Sequence, residues 1–529
     1  MRSIKSRWFA AISVSLALLP AVQLCATKRP RYGGTLRVEL RTPVISLDPR
    51  EWKAGSVSAA DDEKLASLVY DRLLTLDDYG RVQPSIASEW SHDASFRNWQ
   101  FKLRLGVKFS DGWPLSATDV VSSLQPLLPS SYQVSANESG LSIRSSHPSP
   151  DLLEQLASGP YFVFRAQPDG TLLGTGPFYV AESQPAAPYE SNPSATKPAR
   201  IKFQASEEAW AGRPFVDAVE VTLGGPALRE LLDLQTGRAD IVEIAPDLVH
   251  RAHQESLRVW SSAPNTLLAL RFDDAQPAGA DDHLREAFSL SLDRATMANV
   301  LLQKQAEPTA ALLPQWLTGY AFLFDGKMNL ERAKQMRAAL PANEAVAAEP
   351  LRLRVDGAGD LMKLLGERVA VNARQANLAV QVVTRPTNSS IAGGMTGNTA
   401  ANLAGGGTPL AGLHLFAWHY ETVCPRAELD SLAKHLLLQQ SAEGAQGVNE
   451  LETLYAQERR LVEDHRVLPL VLLPEYAGIG SNVRNWMPAR WGEWRLADIW
   501  LENEDEKNAL PAKSSHASPS SERILGRQP

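Results

Sequence analysis

The chain has 529 residues, 44% of them hydrophobic, and a formal net charge of −7 at pH 7. This length exceeds that of a typical single domain and is sufficient for a large buried core. The acidic balance argues against a nucleic-acid partner, because that function requires a basic surface.

The N-terminus is typical of a secretory signal peptide. Three basic residues precede an apolar stretch over residues 9–19, which Pro20 ends. This stretch is too short to cross a bilayer, which requires roughly 20 apolar residues. We therefore predict an exported protein whose signal peptide spans residues 1–26. Cys25 leaves a lipid-anchored form as an alternative, although the residues before it are poor matches to a lipidation site.

The first predicted elements follow the signal peptide closely. A glycine pair precedes an alternating strand over residues 36–40, and residues 61–74 form an amphipathic helix with acidic residues at its front. A second alternating strand covers residues 99–105, with Trp, Phe, Leu and Leu on one face. Asp111 and Gly112 predict a turn, and Ser116 is a candidate N-cap for the next helix.

Two strand–helix–strand units follow, each with the spacing of a right-handed parallel crossover. Their separation in the sequence predicts two α/β lobes rather than one sheet. The units comprise residues 219–223, 227–236 and 240–242 in the first, and 351–355, 361–376 and 378–382 in the second.

Residues 80–120 resemble the signature region of the family 5 extracellular solute-binding proteins, the peptide/nickel-type receptors of ABC importers. The resemblance lies in Trp-Gln-Phe-Lys-Leu-Arg from Trp99, Lys-Phe-Ser-Asp-Gly from Lys108 and Ala-Thr-Asp-Val from Ala117. It extends over residues 32–501 and is weak over residues 386–410.

The resemblance implies an α/β chain with a bilobed periplasmic-binding-protein fold, type II and class C-like, with an extra smaller α/β domain. Lobe one is expected at 31–50, 175–268 and 475–502, the small domain at 51–174, and lobe two at 269–474. The polar tail at 503–529 is expected to be disordered. The implied partners are a peptide or peptide-like solute and an ABC permease and ATPase complex, with a monomeric receptor.

Residues 413–426 carry the richest candidate site. By resemblance, Trp418 occupies a cleft tryptophan position, whereas Cys424 stands where peptide receptors have the aspartate that holds the ligand's ammonium group. Since a thiol cannot supply that charge, Glu421 is the candidate replacement. We also include His419 and Asp273 among the predicted ligand-binding residues. Asp273 is either a cleft residue or a simple turn former.

No cofactor or metal is predicted. His414 and His419 are suitable metal ligands, but they have opposite parity on one strand and so face opposite sides. The sequence contains no His-Glu-x-x-His, Gly-x-Ser-x-Gly or Cys-x-x-Cys motif, so we do not predict an enzyme. A nickel-chelate, haem or sugar receptor remains an alternative. So does a ligand sensor or scaffold that has lost transport, because residues 386–426 depart from the family pattern.

Overall fold

The computed structural model describes residues 29–42, 45–137, 140–189, 192–273, 281–339, 350–355, 360–384, 412–436 and 450–502. The chain from Tyr32 onward groups as one compact unit. The predicted signal peptide, the weakly matching stretch and the polar tail lie outside the described residues. Among the helices that are described, none has both the length and the apolar character needed to cross a bilayer.

The strands are β1 (Thr35–Leu40), β2 (Asp71–Arg72), β3 (Leu74–Leu76), β4 (Val82–Pro84), β5 (Ala87–His92), β6 (Asn98–Leu103), β7 (Tyr132–Asn137), β8 (Gly140–Ser145), β9 (Phe162–Ala166), β10 (Leu172–Gly174), β11 (Phe178–Gln184), β12 (Ala187–Tyr189), β13 (Asn192–Lys197), β14 (Ala199–Ala205), β15 (Ala218–Leu223), β16 (Ile241–Glu243), β17 (Arg258–Phe272), β18 (Glu307–Pro308), β19 (Leu351–Val355), β20 (Val380–Thr384), β21 (Leu413–His419), β22 (Val467–Ile479), β23 (Val483–Arg484) and β24 (Trp500–Leu501).

The α-helices are α1 (Val57–Val69), α2 (Ala117–Leu124), α3 (Leu152–Leu156), α4 (Ala227–Gln235), α5 (Val249–Gln254), α6 (Asp282–Ser291), α7 (Arg294–Thr296), α8 (Gln315–Thr318), α9 (Leu330–Ala339), α10 (Asp360–Gln375), α11 (Pro425–His435) and α12 (Glu450–Glu463). Short 3-10 turns occur at Pro49–Glu51, Pro246–Leu248, Ala321–Leu323 and Leu496–Asp498, and a π-helical turn at Met297–Leu301.

One large mixed sheet runs through the molecule in the order β11-β14-β15-β1-β16-β22-β17-β21-β19-β20, with β18 added to β22. The two longest strands, β17 and β22, lie next to each other in the middle of the sheet and pair along most of their lengths. On one side β22 pairs with β16, and on the other β17 pairs with β21. These two long strands therefore connect the halves of the sheet. The expectation that the two strand–helix–strand units do not share one sheet is wrong, because this pairing joins them in a single sheet.

Each half of the sheet has its own hydrophobic core, which gives the bilobed fold. The first core surrounds β1, β14 and β15 and includes Leu65 and Leu68 of α1. The second surrounds β19 and β21 and includes α6 and α10. A third core lies under the four-stranded sheet β5-β6-β8-β7, where Trp99 and Phe101 are nearly inaccessible to solvent. The inward alternation of these aromatic residues is the pattern that the sequence showed.

Both predicted strand–helix–strand units have parallel strands. In the second unit β19 pairs directly with β20. In the first, β15 and β16 both pair with β1, which lies between them. Ser116 caps α2 as predicted: its hydroxyl accepts from the Asp119 N–H at 3.3 Å, and Asp119 reaches back to the Ser116 N–H at 3.0 Å.

Two predicted boundaries are wrong. The helix expected at 61–74 is Val57–Val69, because the backbone turns extended at Tyr70 and the following residues pair in β2 and β3. The strand expected to reach Leu105 ends at Leu103, and the Leu105 side chain is 96% exposed. The ends of α1 and β6 are both set by pairing with strands that are distant in the sequence. The local hydrophobic periodicity contains no information about that pairing.

Candidate functional site

A small cavity of about 40 Å³, called here the inner cavity, lies between the N-terminal half of the chain and the end of β21. Its wall is formed by α1, by residues 419–423 and by residues 491–493, with Glu475 contributed by β22. A space of this size holds on the order of one to three water molecules. It is therefore suited to one functional group of a ligand rather than to a whole ligand.

A buried lysine on α1 supplies positive charge to this cavity. Lys64 Nζ lies 2.9 Å from Asp61 Oδ1 and 2.7 Å from Glu475 Oε1, and 4.9 Å from the centre of the Trp494 ring. Burial acts to lower the pKa of Lys64, but the neighbouring carboxylates outweigh it and raise the pKa above its usual value. Lys64 is therefore a permanent cation whose charge is already shared by two acids.

A second basic residue of the wall, Arg72, is also paired. Its guanidinium contacts the Glu63 carboxylate and donates to the Gly159 carbonyl oxygen at 2.6 Å. The same group lies 3.9 Å from the centre of the Phe162 ring, within cation–π distance. Both of these basic groups are thus neutralised by the protein itself.

Two further glutamates lie close together at the start of α11. Glu421 Oε1 accepts from the Gly55 N–H at 2.7 Å. Glu428 Oε1 accepts from the N–H groups of Glu421 and Thr422, at 2.6 and 2.7 Å. Burial, and then the charge of Glu428, raises the pKa of Glu421 to about 8, and burial raises the pKa of Glu428 to about 7. Near neutral pH the pair therefore retains a proton that an incoming cation would displace.

The structure brings His419 and Glu421 together in the wall of the inner cavity. His419 is buried, and this burial, with the charge of Lys64, lowers its pKa to about 3. The imidazole is therefore neutral. Its Nδ1 lies 3.4 Å from Thr266 Oγ1, so its hydrogen-bonding role depends on its tautomer.

Trp418 lies behind this wall and is 1% exposed. Its indole N–H donates to Glu428 Oε2 at 3.3 Å. The face of its ring packs so closely on Gly55 that a Cβ atom there would lie 2.0 Å from Trp418 Cε3. Gly55 also has a φ of +70°, which favours glycine. Trp418 therefore positions the acidic pair in two ways. It donates a hydrogen bond to Glu428, and it packs against Gly55, whose N–H donates to Glu421.

Asp273 is not brought to the cavity. Along the pairing of β17 with β21, Thr266 lies opposite His419 and Phe272 lies opposite Leu413. Asp273 follows at the far end, about 24 Å from Thr266 at the usual rise of a strand. Its N–H donates to the Gly412 carbonyl oxygen at 3.1 Å.

A larger space of about 710 Å³, called here the outer cavity, adjoins the inner one. The two share Trp316, Val423 and Trp491 in their walls. The volume falls within the range of about 300–1,000 Å³ that is usual for small-molecule sites. Trp316 Nε1 donates to the Pro264 carbonyl oxygen at 2.6 Å, which fixes this ring in the wall that the two cavities share.

The outer cavity combines apolar walls with charges of both signs. Tyr79, Leu451 and Leu454 contribute apolar surface, and the charged residues of the wall are Asp78, Asp151, Glu154, Arg426 and Arg490. Cys424 also lines this space, and burial followed by the charge of Asp151 raises the pKa of its thiol to about 12. The Cys424 side chain is therefore neutral near pH 7.

Several residues of the site were not found from the sequence, namely Glu63, Lys64, Arg72, Glu475, Trp316 and Trp491. Glu475 did carry a signal, because it follows the long apolar run of β22 from Val467 to Leu473. A charge placed inside such a strand is buried and needs a partner. Within the part of the chain that the structure describes, no group of three or more His, Cys, Asp or Glu residues is arranged to hold a metal ion.

Residues 81–408 match the family model described as bacterial extracellular solute-binding proteins, family 5 Middle. A probable di/tripeptide-binding protein 5 of Pseudomonas aeruginosa is 26% identical over 347 residues, which cover 59% of this chain and 64% of that protein. The peptide transport periplasmic protein SapA of Salmonella typhimurium is 24% identical over 345 residues, covering 56% of this chain and 60% of that one. These matches thus span a little under two thirds of each relative.

Solved structures are similar over a larger share of the chain. The oligopeptide-binding protein AppA of Bacillus subtilis, in complex with a nonapeptide, superposes with a TM-score of 0.69 at 16% identity and covers 90% of this chain and 100% of that one. NikA of Staphylococcus aureus, in complex with Ni(L-His)2, gives a TM-score of 0.66 at 16% identity and covers 88% and 100%. At these identities the similarity establishes the fold and does not identify the ligand.

Proposed function

Since the chain belongs to the family 5 bacterial extracellular solute-binding proteins, we propose that it is the receptor of an ABC importer for a peptide or peptide-like solute with a cationic group. The observation that carries this proposal is the acidic pair Glu421 and Glu428 beside a cavity whose basic residues Lys64 and Arg72 are already neutralised. An ammonium group entering there would meet acidic side chains whose charge those two cations do not balance. The peptide-binding relatives support this class of ligand.

The outer cavity would hold the body of the ligand. Trp316 and Trp491 offer aromatic surface for its apolar part, and the basic residues Arg426 and Arg490 suit a carboxylate at its far end. A zwitterionic solute would place its ammonium group in the inner cavity and its carboxylate near Arg426 or Arg490, although Asp78, Asp151 and Glu154 share that wall. Glu421 thereby takes the role of the missing aspartate, and Trp418 supports it from behind.

The proposed mechanism is closure of two lobes without covalent chemistry. We place the lobe boundaries near residues 268 and 474, on the long strands β17 and β22, and take these strands as the connection about which the lobes move. A ligand that contacts both lobes biases the equilibrium toward the closed form, which the permease would then recognise. Members of this family are solute-binding proteins, and we propose that this chain likewise catalyses no reaction.

We further propose that the mature protein is exported and acts as a monomer, either free or held by a lipid on Cys25.

Native mass spectrometry of protein purified from its exported compartment, followed by denaturing release, tests the function directly. We expect a co-purified mixture of short cationic or zwitterionic peptides. Release of a metal chelate, haem or sugar would overturn the peptide assignment. An empty protein that gains no thermal stability from peptide libraries would overturn transport.

A further inference from the structure

A line of buried and partly buried charged side chains connects α4 with the wall of the inner cavity. Arg41, just after β1, places Nη2 2.6 Å from Glu243 Oε1 of β16. Lys64 then lies between Asp61 and Glu475, as described above. The two ion-paired groups act on each other, because Glu243 also attracts Lys64 and Asp61 also attracts Arg41. A change of charge near Arg41 therefore changes the electrostatic environment of Lys64.

Glu230 of α4 lies at the far end of this line. It is 1% exposed, and neither of its carboxylate oxygens has a hydrogen-bond partner within the described part of the chain. The charged groups that face it come from four neighbouring segments, namely Glu39 of β1, Arg41, Asp61 of α1 and Glu243 of β16. Burial, and then the charge of Glu243, raises the pKa of Glu230 to about 8. Glu230 is therefore largely protonated at neutral pH.

Glu230 lies close to a groove, although it does not line the groove itself. A Cβ atom at Gly225 would lie 3.4 Å from Glu230 Oε1, so the carboxyl group approaches the backbone there. Gly225 itself lines this groove, which has a volume of about 560 Å³ and is also lined by residues of β1, β14 and β15. The same groove is lined by Glu39, Arg229 and Asp233, which keeps it polar.

We propose that Glu230 is a proton-binding site that regulates the charge of the inner cavity through Arg41, Glu243 and Lys64. When Glu230 releases its proton to solvent, its carboxylate competes with Glu243 for the guanidinium of Arg41. Glu243 then attracts Lys64 more strongly, and Glu475 on the cavity wall loses part of its ion pair. The cavity becomes more negative, which strengthens binding of a cation. The link to ligand affinity rests on the proposed function, whereas the network itself does not.

The ring of Trp494 provides a direct reporter, because Lys64 Nζ lies 4.9 Å from its centre. The full mature chain is labelled with 5-fluorotryptophan, and the Trp494 resonance is assigned by its loss in Trp494→Phe. Its fluorine chemical shift is followed from about pH 6 to pH 9.5 without any ligand, a range that brackets the pKa of Glu230 by more than one unit on each side. We expect a transition with a midpoint near pH 8 in the wild type, and its loss in Glu230→Gln.

Three variants make the result decisive. Glu230→Met removes the carboxyl group without adding a buried amide, and replaces Glu230→Gln if that variant fails to fold. Glu220→Gln changes an exposed glutamate of the neighbouring β15 and should leave the transition intact. Glu421→Gln should also retain it, which separates Glu230 from the acidic pair. A wild-type resonance that does not titrate, or one that titrates equally in the Glu230 variants, would overturn the proposal while leaving the receptor function untouched.

Discussion

Glu421 and Glu428 determine how the proposed site should respond to pH. Burial, and then the charge of Glu428, raises the pKa of Glu421 to about 8, well above its usual value. A bound cation stabilises the charged carboxylate and so lowers this pKa, which means that binding below pH 8 must release a proton. Cation affinity should therefore fall as the pH falls below 8, by up to about tenfold per pH unit.

Isothermal titration calorimetry of Glu421→Gln with a peptide recovered from the native protein tests this expectation. The variant should bind at least about tenfold more weakly at pH 8, because a hydrogen bond to a charged group contributes about 1.5–3 kcal/mol. Its affinity should also depend less on pH than that of the wild type. Glu89→Gln, which alters an exposed glutamate of β5, is the matched control. An unchanged pH profile in Glu421→Gln would remove this residue from ligand binding.

The sequence predicted only part of this site, for a physical reason. His419 and Glu421 lie in one short segment, residues 413–426, so a comparison with the family pattern could identify both as candidates. Lys64 and Glu475 become neighbours only through folding, and each looks in isolation like an ordinary surface charge. Asp273 was proposed without a strand prediction, and its distance from the cavity follows from the register of β17 with β21, which the sequence does not show.

At the scale of elements, the segment before α1 is held to the end of β21 by Gly55. Its N–H donates to Glu421, and its carbonyl oxygen accepts from the His419 N–H at 3.1 Å. Trp418 closes the contact from the other side. A side chain at residue 55 would force the segment and the strand apart, and the acidic pair would lose its support.

We therefore expect Gly55→Ala to destabilise the protein by about 3 kcal/mol, the sum of overpacking against Trp418 and of a positive φ. Gly112→Ala is the matched control, because Gly112 also has a positive φ, +84°, but a Cβ atom added there would meet nothing within 4 Å. Gly112→Ala should lower the free energy of unfolding by only about 1–2 kcal/mol. Urea unfolding measures both, and equal losses would show that the contact with Trp418 adds nothing.

The sequence predicted the presence of helices and strands more accurately than the residues at which they end. The alternation in β1, β6 and β19 is a local property of the sequence, and each of these strands is present. The ends of α1 and β6 depend instead on which distant strand takes up the backbone hydrogen bonds. The long partners β17 and β22 illustrate the same limit, because their pairing joins residues that are far apart in the chain.

In the whole protein, a polar contact beside the inner cavity joins the segment after α3 to the segment after β21. Ser158 Oγ, which follows α3, donates to Thr422 Oγ1 at 2.8 Å. Ala157 belongs to the third core, whereas Leu429 of α11 belongs to a core that includes β21. Lobe opening must break this contact if ligands enter between the two sides.

A disulfide at this position should trap a bound ligand. The variant Ser158→Cys/Thr422→Cys, made with Cys424→Ser to prevent mispairing, should cross-link when oxidised, because the two side chains already touch. We expect the dissociation rate of a bound peptide to fall at least about tenfold after oxidation and to recover on reduction, as measured by stopped-flow displacement. The reduced protein and each single cysteine variant are controls. Equal dissociation rates in the oxidised and reduced protein would show that ligand leaves without separation of Ser158 from Thr422. The proposed movement about β17 and β22 would then be wrong.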